Sequence, residues 1–251
     1  MLSIDRRQQE SLRGALRAAY RRKLGGHVRR FFPAHAALAG DAGLDALVDL
    51  AQARAGNRGY VAEREVALWL NLMVLLGVAF DEDALLPWRG ALPGIARPAD
   101  SFATLNAIYD SAEDYLDKIA GPFQAAAMGR FLQSSPQELV VQPSQSSEHL
   151  VNSMARLYPE KYQAADFPAL QAFMQATIAD CLKAGINVKD RIVLLMLFDF
   201  ILGRDAHASP LYAPTLTRAG ADALAGLPIP ELLDRMRAVM RALQSKPSGG
   251  Q

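Results

Sequence analysis

The side chains able to do chemistry are few and scattered. Four histidines, His27, His35, His149 and His207, stand apart, and none has a second His, a Cys or a carboxylate at metal-ligand spacing such as His-Glu-x-x-His. They read as structural or surface residues, and neither a metal nor a cofactor is expected. Asp81, Glu82 and Asp83 form an acidic loop directly after an apolar helical run. Carboxylates at a helix C-terminus oppose the helix dipole, so they need a cation, supplied by a local arginine or by a binding partner. Arg204, Asp205 and His207 make a second polar loop in the same position after a second apolar run. Asp199 is the oddest acid, because it lies inside that run, and a buried carboxylate requires a partner. Arg191 and Arg204 are the nearby cations, so a structural ion pair is expected.

Other candidates have simpler explanations. Glu63 and Glu65 fall in the first turn of a helix, where the dipole favours them. Cys181, the single cysteine, sits on an apolar helical stripe and reads as a small core residue rather than a reactive thiol. Neither Gly25-Gly26 nor Gly249-Gly250 follows a strand, so neither is a phosphate-cradling loop. No Gly-x-Ser-x-Gly elbow and no Walker sequence occurs. The expectation is a protein that is not an enzyme.

The N-terminal segment carries a concentrated charge. Nine basic residues, Arg6, Arg7, Arg13, Arg17, Arg21, Arg22, Lys23, Arg29 and Arg30, face only Asp5 and Glu10 before residue 31. Leu12, Leu16, Ala19 and Tyr20 make an apolar stripe at helical spacing, with Arg6, Arg13 and Arg17 together on another face. Nucleic-acid binding would need aromatic or polar base-readers beside that charge. Tyr20 and the Phe31-Phe32 pair look committed to the core, so nucleic acid is a minor expectation. Asp100, Asp110, Glu113, Asp114 and Asp117 form an acidic stretch that either meets the basic one or is solvated.

The elements that must position these residues repeat. Phe31-Phe32-Pro33, Gly59-Tyr60 and Gly77 recur as Leu157-Tyr158-Pro159, Gly185-Ile186 and Gly203, all at an offset of 126. The stripe Leu44, Leu47, Val48, Ala51 and Ala55 becomes Leu170, Phe173, Met174, Thr177 and Cys181. In the next helix Val66, Ala67, Trp69, Leu70 and Val74 become Ile192, Val193, Leu195, Met196 and Phe200. Each copy ends at a glycine able to close a helix in the left-handed region. Pro87-Trp88 and Pro210-Leu211 then follow the two polar loops.

Boundary residues also predict helices. Ser135-Pro136-Gln137-Glu138 is a capping box with proline at the first helical position. Asn187, Asp41 and Asp166 are candidate caps, and Pro230-Glu231 opens a last helix to about Ser245. Leu139-Val140-Val141 is the only β-like run. The segment Ser101–Phe131 reads as a helix to about Ile119, an interruption at Gly121-Pro122, and a second helix. The fold expected is all-α: two tandem related helical units, residues 1–97 and 146–251, joined by connecting helices and a linker over 98–145, with Gln142–Ser147 as the linker.

Composition fits. With 21% charged residues and about half apolar, the chain is globular rather than disordered. The apolar runs Val66–Phe80 and Ile192–Leu202, 15 and 11 residues long, are shorter than the roughly 18–20 residues of a membrane span and read as core helices. The N-terminus lacks the apolar run of a secretory signal, so a cytoplasmic location without membrane insertion is expected.

The run from Tyr60 through Glu63-Arg64-Glu65-Val66, Leu76-Gly77, Phe80-Asp81 and Pro87-Trp88 resembles small helical bacterial proteins encoded beside secreted toxins, including effectors of the type VI secretion system. That pattern has an aromatic-Gly-Ile turn, where this chain has Tyr60-Val61-Ala62, although Gly185-Ile186 preserves the pair in the second copy. The resemblance covers about 60 residues. It implies a non-catalytic protein whose partner is a cognate secreted toxin or effector, either as an immunity protein or as an effector chaperone or adaptor. Asp81, Glu82, Asp83, Trp88, Asp205 and His207, with Arg6, Arg13 and Arg17, are the candidate partner-binding residues.

Overall fold

The computed structural model describes residues 5–88, 101–140, 147–217 and 223–245, except for the side chains of Arg6, Arg7, Arg13, Ser101, Pro122, Ser147 and Ala223. Every regular element among them is helical. The α-helices are α1 Arg6–Phe31, α2 Pro33–Asn57, α3 Glu63–Leu76, α4 Ser101–Tyr115, α5 Gly121–Gln133, α6 Pro136–Leu139, α7 Ser147–Leu157, α8 Pro159–Ala164, α9 Phe167–Lys183, α10 Lys189–Leu202, α11 Ala213–Leu216, α12 Ala223–Gly226 and α13 Ile229–Gln244. The β-like run divides: Leu139 ends α6, Val140 is extended, and Val141 lies outside the described residues. The candidate linker lies there too, up to Ser147, which opens α7.

Proline and glycine set the boundaries. Pro33 and Pro159 each occupy a first helical position, where a missing N–H costs nothing. The preceding residues, Phe32 and Tyr158, have similar non-helical backbones, at φ −131, ψ 58 and φ −141, ψ 70. Gly77 ends α3 at φ 102, and Gly203 ends α10 at φ 100, conformations closed to most L-residues. Each is followed by a 3₁₀ turn, Phe80–Glu82 and Ala206–Ala208. Ser135 and Glu138 form the expected capping box, and Asp166 caps α9 through the Ala169 N–H at 2.7 Å.

Two expected caps are corrected. Asp41 lies past a kink in α2 at Gly40 (φ 60) and pairs with Arg29 at 2.6 Å instead. At α10 the capping position falls to Val188, not Asn187, and makes no side-chain bond. In α3, Glu65 supplies the missing cap by accepting from the N–H groups of Val61 and Ala62 at 2.9 and 2.8 Å.

One continuous apolar core runs through the described residues. The α2 stripe of Leu44, Leu47, Val48, Ala51 and Ala55 is buried as expected. On α9, Leu170, Phe173, Thr177 and Cys181 are buried while Met174 is half-buried. Trp69 packs between Tyr60 and Phe80, with ring centroids 5.6 and 4.8 Å away. Between α4 and α5 the chain widens into a π turn over Leu116–Ala120, and at Gly121 the backbone leaves helical values (φ −24, ψ −111), which is the interruption expected at Gly121-Pro122.

The stripe on α1 needs correction. Leu24 and Val28 are buried, but Leu12 and Leu16 are 55% and 61% exposed, as is Phe31 at 57%. The first half of α1 therefore extends beyond the body of the protein. No described helix is long and apolar enough to cross a membrane.

Candidate functional site

The polar residues converge where α3 and α10 end. Gly77 and Gly203 meet back to back: a Cβ on Gly203 would lie 1.9 Å from the Leu76 carbonyl oxygen, and one on Gly77 would lie 2.6 Å from the Gly203 carbonyl carbon. Only hydrogen fits at either position. This contact brings the loops 78–83 and 204–209 side by side, with the Ala79 N–H 3.4 Å from the Arg204 carbonyl oxygen.

The acidic loop is satisfied from within the chain. Asp81 accepts from Arg54 at 2.6 and 3.1 Å and from Arg58 at 3.3 Å, and its side chain is only 4% exposed. Arg54 also reaches Glu82 at 3.2 Å. Arg204 crosses the seam to donate to the Glu82 carbonyl oxygen and to Asp180, both at 2.9 Å. The Arg204 and Lys183 contacts hold the Asp180 carboxyl below its ordinary range against the opposing effect of burial. The cations that the helix dipole requires are thus local arginines.

Asp199 is paired, but with neither expected cation. Its two oxygens accept from the backbone N–H of His207 at 2.9 Å and face its Nδ1 at 2.7 Å. Arg191 instead donates to the carbonyl oxygens of Ala225 and Leu227, and Arg204 is engaged as above. Burial works against the imidazolium of His207, but the adjacent Asp199 carboxylate outweighs it and raises the pKa. Asp205, between them, is the only described residue other than glycine with positive φ, at 59°. Its Oδ1 is buried without a hydrogen-bond partner, and burial, reinforced by Asp199, pushes its carboxyl up to about 6.

Ligand atoms of Asp199, Asp205 and His207 all lie within 4.8 Å of one another, so these three could hold a cation. The 2.7 Å separation of His207 Nδ1 from Asp199 is a hydrogen-bond distance, and Arg204 and Arg54 already bring positive charge to the cluster. As arranged, this is ion-pair chemistry. An Asp–His pair also orients a general base, but His207 is only 4% exposed.

Two further ionisable side chains are buried. Asp83 is 1% exposed; one oxygen accepts from the Leu85 N–H at 2.9 Å and the other has no partner. Lys161 donates to the Phe200 carbonyl oxygen at 2.9 Å, with its ammonium 5.3 Å from the Phe200 ring. Burial pushes the Asp83 pKa up and the Lys161 pKa down, and each charge partly restores the other. No sequence signal marked Lys161, since a lysine buried by tertiary packing looks like any surface lysine.

The candidate partner-binding residues fall in different surroundings. Asp81, Asp83, Trp88 and His207 are inside the protein; Trp88 packs edge-on against Tyr115 at 6.0 Å. Asp205 is largely covered, while Glu82 and Arg17 are exposed. Arg6 and Arg13 lie on α1, but their side chains fall outside the described residues. The basic residues of α1 do not meet the 100–117 stretch in any described ion pair. Arg21 binds Asp49 at 2.6 Å, Lys23 binds Glu63, and Arg29 binds Asp41. Cys181 is buried and its thiol is pushed up to about 12 by burial, which leaves it inert.

No family model matches the chain, and no curated protein or solved structure matches it either.

Proposed function

We propose that this chain is a non-catalytic protein that binds a secreted bacterial toxin and acts as its immunity protein. The observation that carries the reading is how the polar groups are used. Arg54, Arg58 and Arg204 are engaged by Asp81, Glu82 and Asp180 within the chain, while apolar side chains stand in solvent. Leu12 and Leu16 on α1 are 55% and 61% exposed, and Ile178 and Leu182 on α9 are 40% and 54% exposed. Both pairs have i, i+4 spacing, the pattern by which a helix face engages another protein. The exposed Arg17 beside Leu16 gives the α1 face a basic edge suited to an acidic partner surface. The likeness of residues 60–88 to helical proteins encoded beside toxins points the same way.

We also propose that the fold is a duplication. Supporting this are helix bounds that share the offset seen in the letters: α3 and α10 begin at 63 and 189 and end at 76 and 202, and the 3₁₀ turns begin at 80 and 206.

Co-expression with the toxin encoded alongside tests the function. Growth rescue and co-purification are expected, and the pair Leu12→Asp/Leu16→Asp should weaken capture at least tenfold while leaving the thermal midpoint unchanged, since neither side chain packs in the core. Failed toxin export in a healthy cell lacking this protein would make it a chaperone instead. Absence of both effects would remove the toxin-binding reading.

A further inference from the structure

Bounded by α2, α3, α5, α10 and α13, and by the π turn, is a cavity of about 320 Å³. That is within the range of small-molecule sites, roughly 300–1,000 Å³. Its walls are mostly aliphatic, Val74, Leu202 and Leu243 among them, and no Asp, Glu, Lys or Arg among the described residues lines it. Three polar side chains interrupt this surface: His35, Gln124 and Tyr212.

All three keep hydrogen-bonding capacity in reserve. Tyr212 is 3% exposed, yet its hydroxyl has no hydrogen-bond partner among the described residues. Burial raises its pKa, so the phenol keeps its proton. The His35 ring, 6.3 Å from that of Tyr212, likewise forms no hydrogen bond with a described residue. Burial drives its pKa down to about 4, leaving a neutral imidazole with one donor and one acceptor. Gln124 donates its amide N–H to the Ile201 carbonyl oxygen at 3.0 Å, and its own carbonyl oxygen is left over. His35 and Gln124 are half-buried and the Tyr212 ring lines the cavity, so each presents its spare donor or acceptor to whatever fills the space.

The wall itself is unusual. The π turn Leu116–Ala120 lines the cavity and is closed by Gly121, where a Cβ would sit 2.9 Å from the Leu116 carbonyl oxygen. Single π turns within helices are rare and concentrate at functional sites.

We propose that this cavity is a binding site for an uncharged, mainly apolar small molecule carrying one hydroxyl or carbonyl group. The aliphatic walls take the apolar body, and Tyr212, His35 and Gln124 offer donors and acceptors to the single polar group. A carboxylate or ammonium would enter without a countercharge, so ionised ligands are rejected. The site is separate from the ion-pair seam and does not depend on toxin binding.

Titration of the full chain with prodan, an uncharged naphthyl ketone whose emission shifts to the blue in apolar surroundings, tests this at pH 7.5. Saturable one-to-one binding is expected, displaced by 1-octanol and at least tenfold less effectively by octanoate. Leu243→Trp and Met128→Trp fill the space and should each weaken binding at least tenfold. Tyr212→Phe should weaken it roughly three- to tenfold, with the far-ultraviolet circular dichroism unchanged. No saturable binding by the unmodified chain, equal competition by octanoate, or binding that survives both filling substitutions would overturn the proposal. The unmodified chain decides even if a filling variant does not fold.

Discussion

Asp205 concentrates three costs in one residue: a left-handed backbone, a buried oxygen without a partner, and a carboxyl displaced up to about 6. Because its folded pKa lies above the ordinary carboxylate value, this group subtracts stability as pH rises from about 4 through 6. Asn accepts the left-handed conformation and carries no charge. Asp205→Asn should therefore stabilise the protein at pH 7.5 by about 1–2 kcal/mol after discounting for partial exposure, or roughly 3–6 °C in thermal midpoint. At pH 4, where the native carboxyl is already protonated, the midpoints should agree within about 1 °C. Equal shifts at both pH values would show that charge is not the cause. The need for a partner at Asp199 was legible in the sequence, since a carboxylate in an apolar run must be neutralised. The partner's identity was not. His207 reaches Asp199 only because the chain reverses through a left-handed Asp205 and a 3₁₀ turn, a path that helical periodicity does not describe.

At the scale of elements, the two helix-ending glycines are the most constrained positions. Gly203→Ala combines an unfavourable φ with a collision against the Leu76 carbonyl, and should cost at least about 3 kcal/mol. Gly14→Ala, on exposed α1 with nothing within 4 Å, should instead gain about 0.5–1 kcal/mol. Urea denaturation of both variants checks the contrast; a neutral Gly203→Ala would contradict the back-to-back packing. Both glycines were recognisable in the sequence as helix ends, because an apolar run stopping at Gly before polar residues is a local signal. Their mutual contact was not, since it joins residues far apart in the chain. The α1 stripe failed for a related reason. Periodicity reveals that Leu12 and Leu16 share a face, but not whether this chain supplies anything to cover it.

For the whole molecule, the all-helical class followed from the near absence of alternating apolar runs and from the capping residues. What the sequence could not give was how the core closes: α11 and α13 pack on α2, and Lys161 and Asp83 are enclosed together. A core continuous from Trp69 to Cys181 should unfold as one unit. Tryptophan fluorescence, which reports Trp69 and Trp88, and thiol labelling of Cys181 should give the same urea midpoint. Separated midpoints would divide the molecule into independently folding halves.

The π turn at Leu116–Ala120 also has a bearing on register. A π turn holds one residue more than an α-helical turn requires, so every side chain after it points about 100° away from where an unbroken helix would aim it. Gln124 and Met128 line the cavity from the helix that follows this turn. Removing one residue from the turn should therefore rotate that wall and present a different set of side chains to the void. The surplus residue is a local irregularity in the backbone, yet it decides which atoms an occupant of the interior would meet.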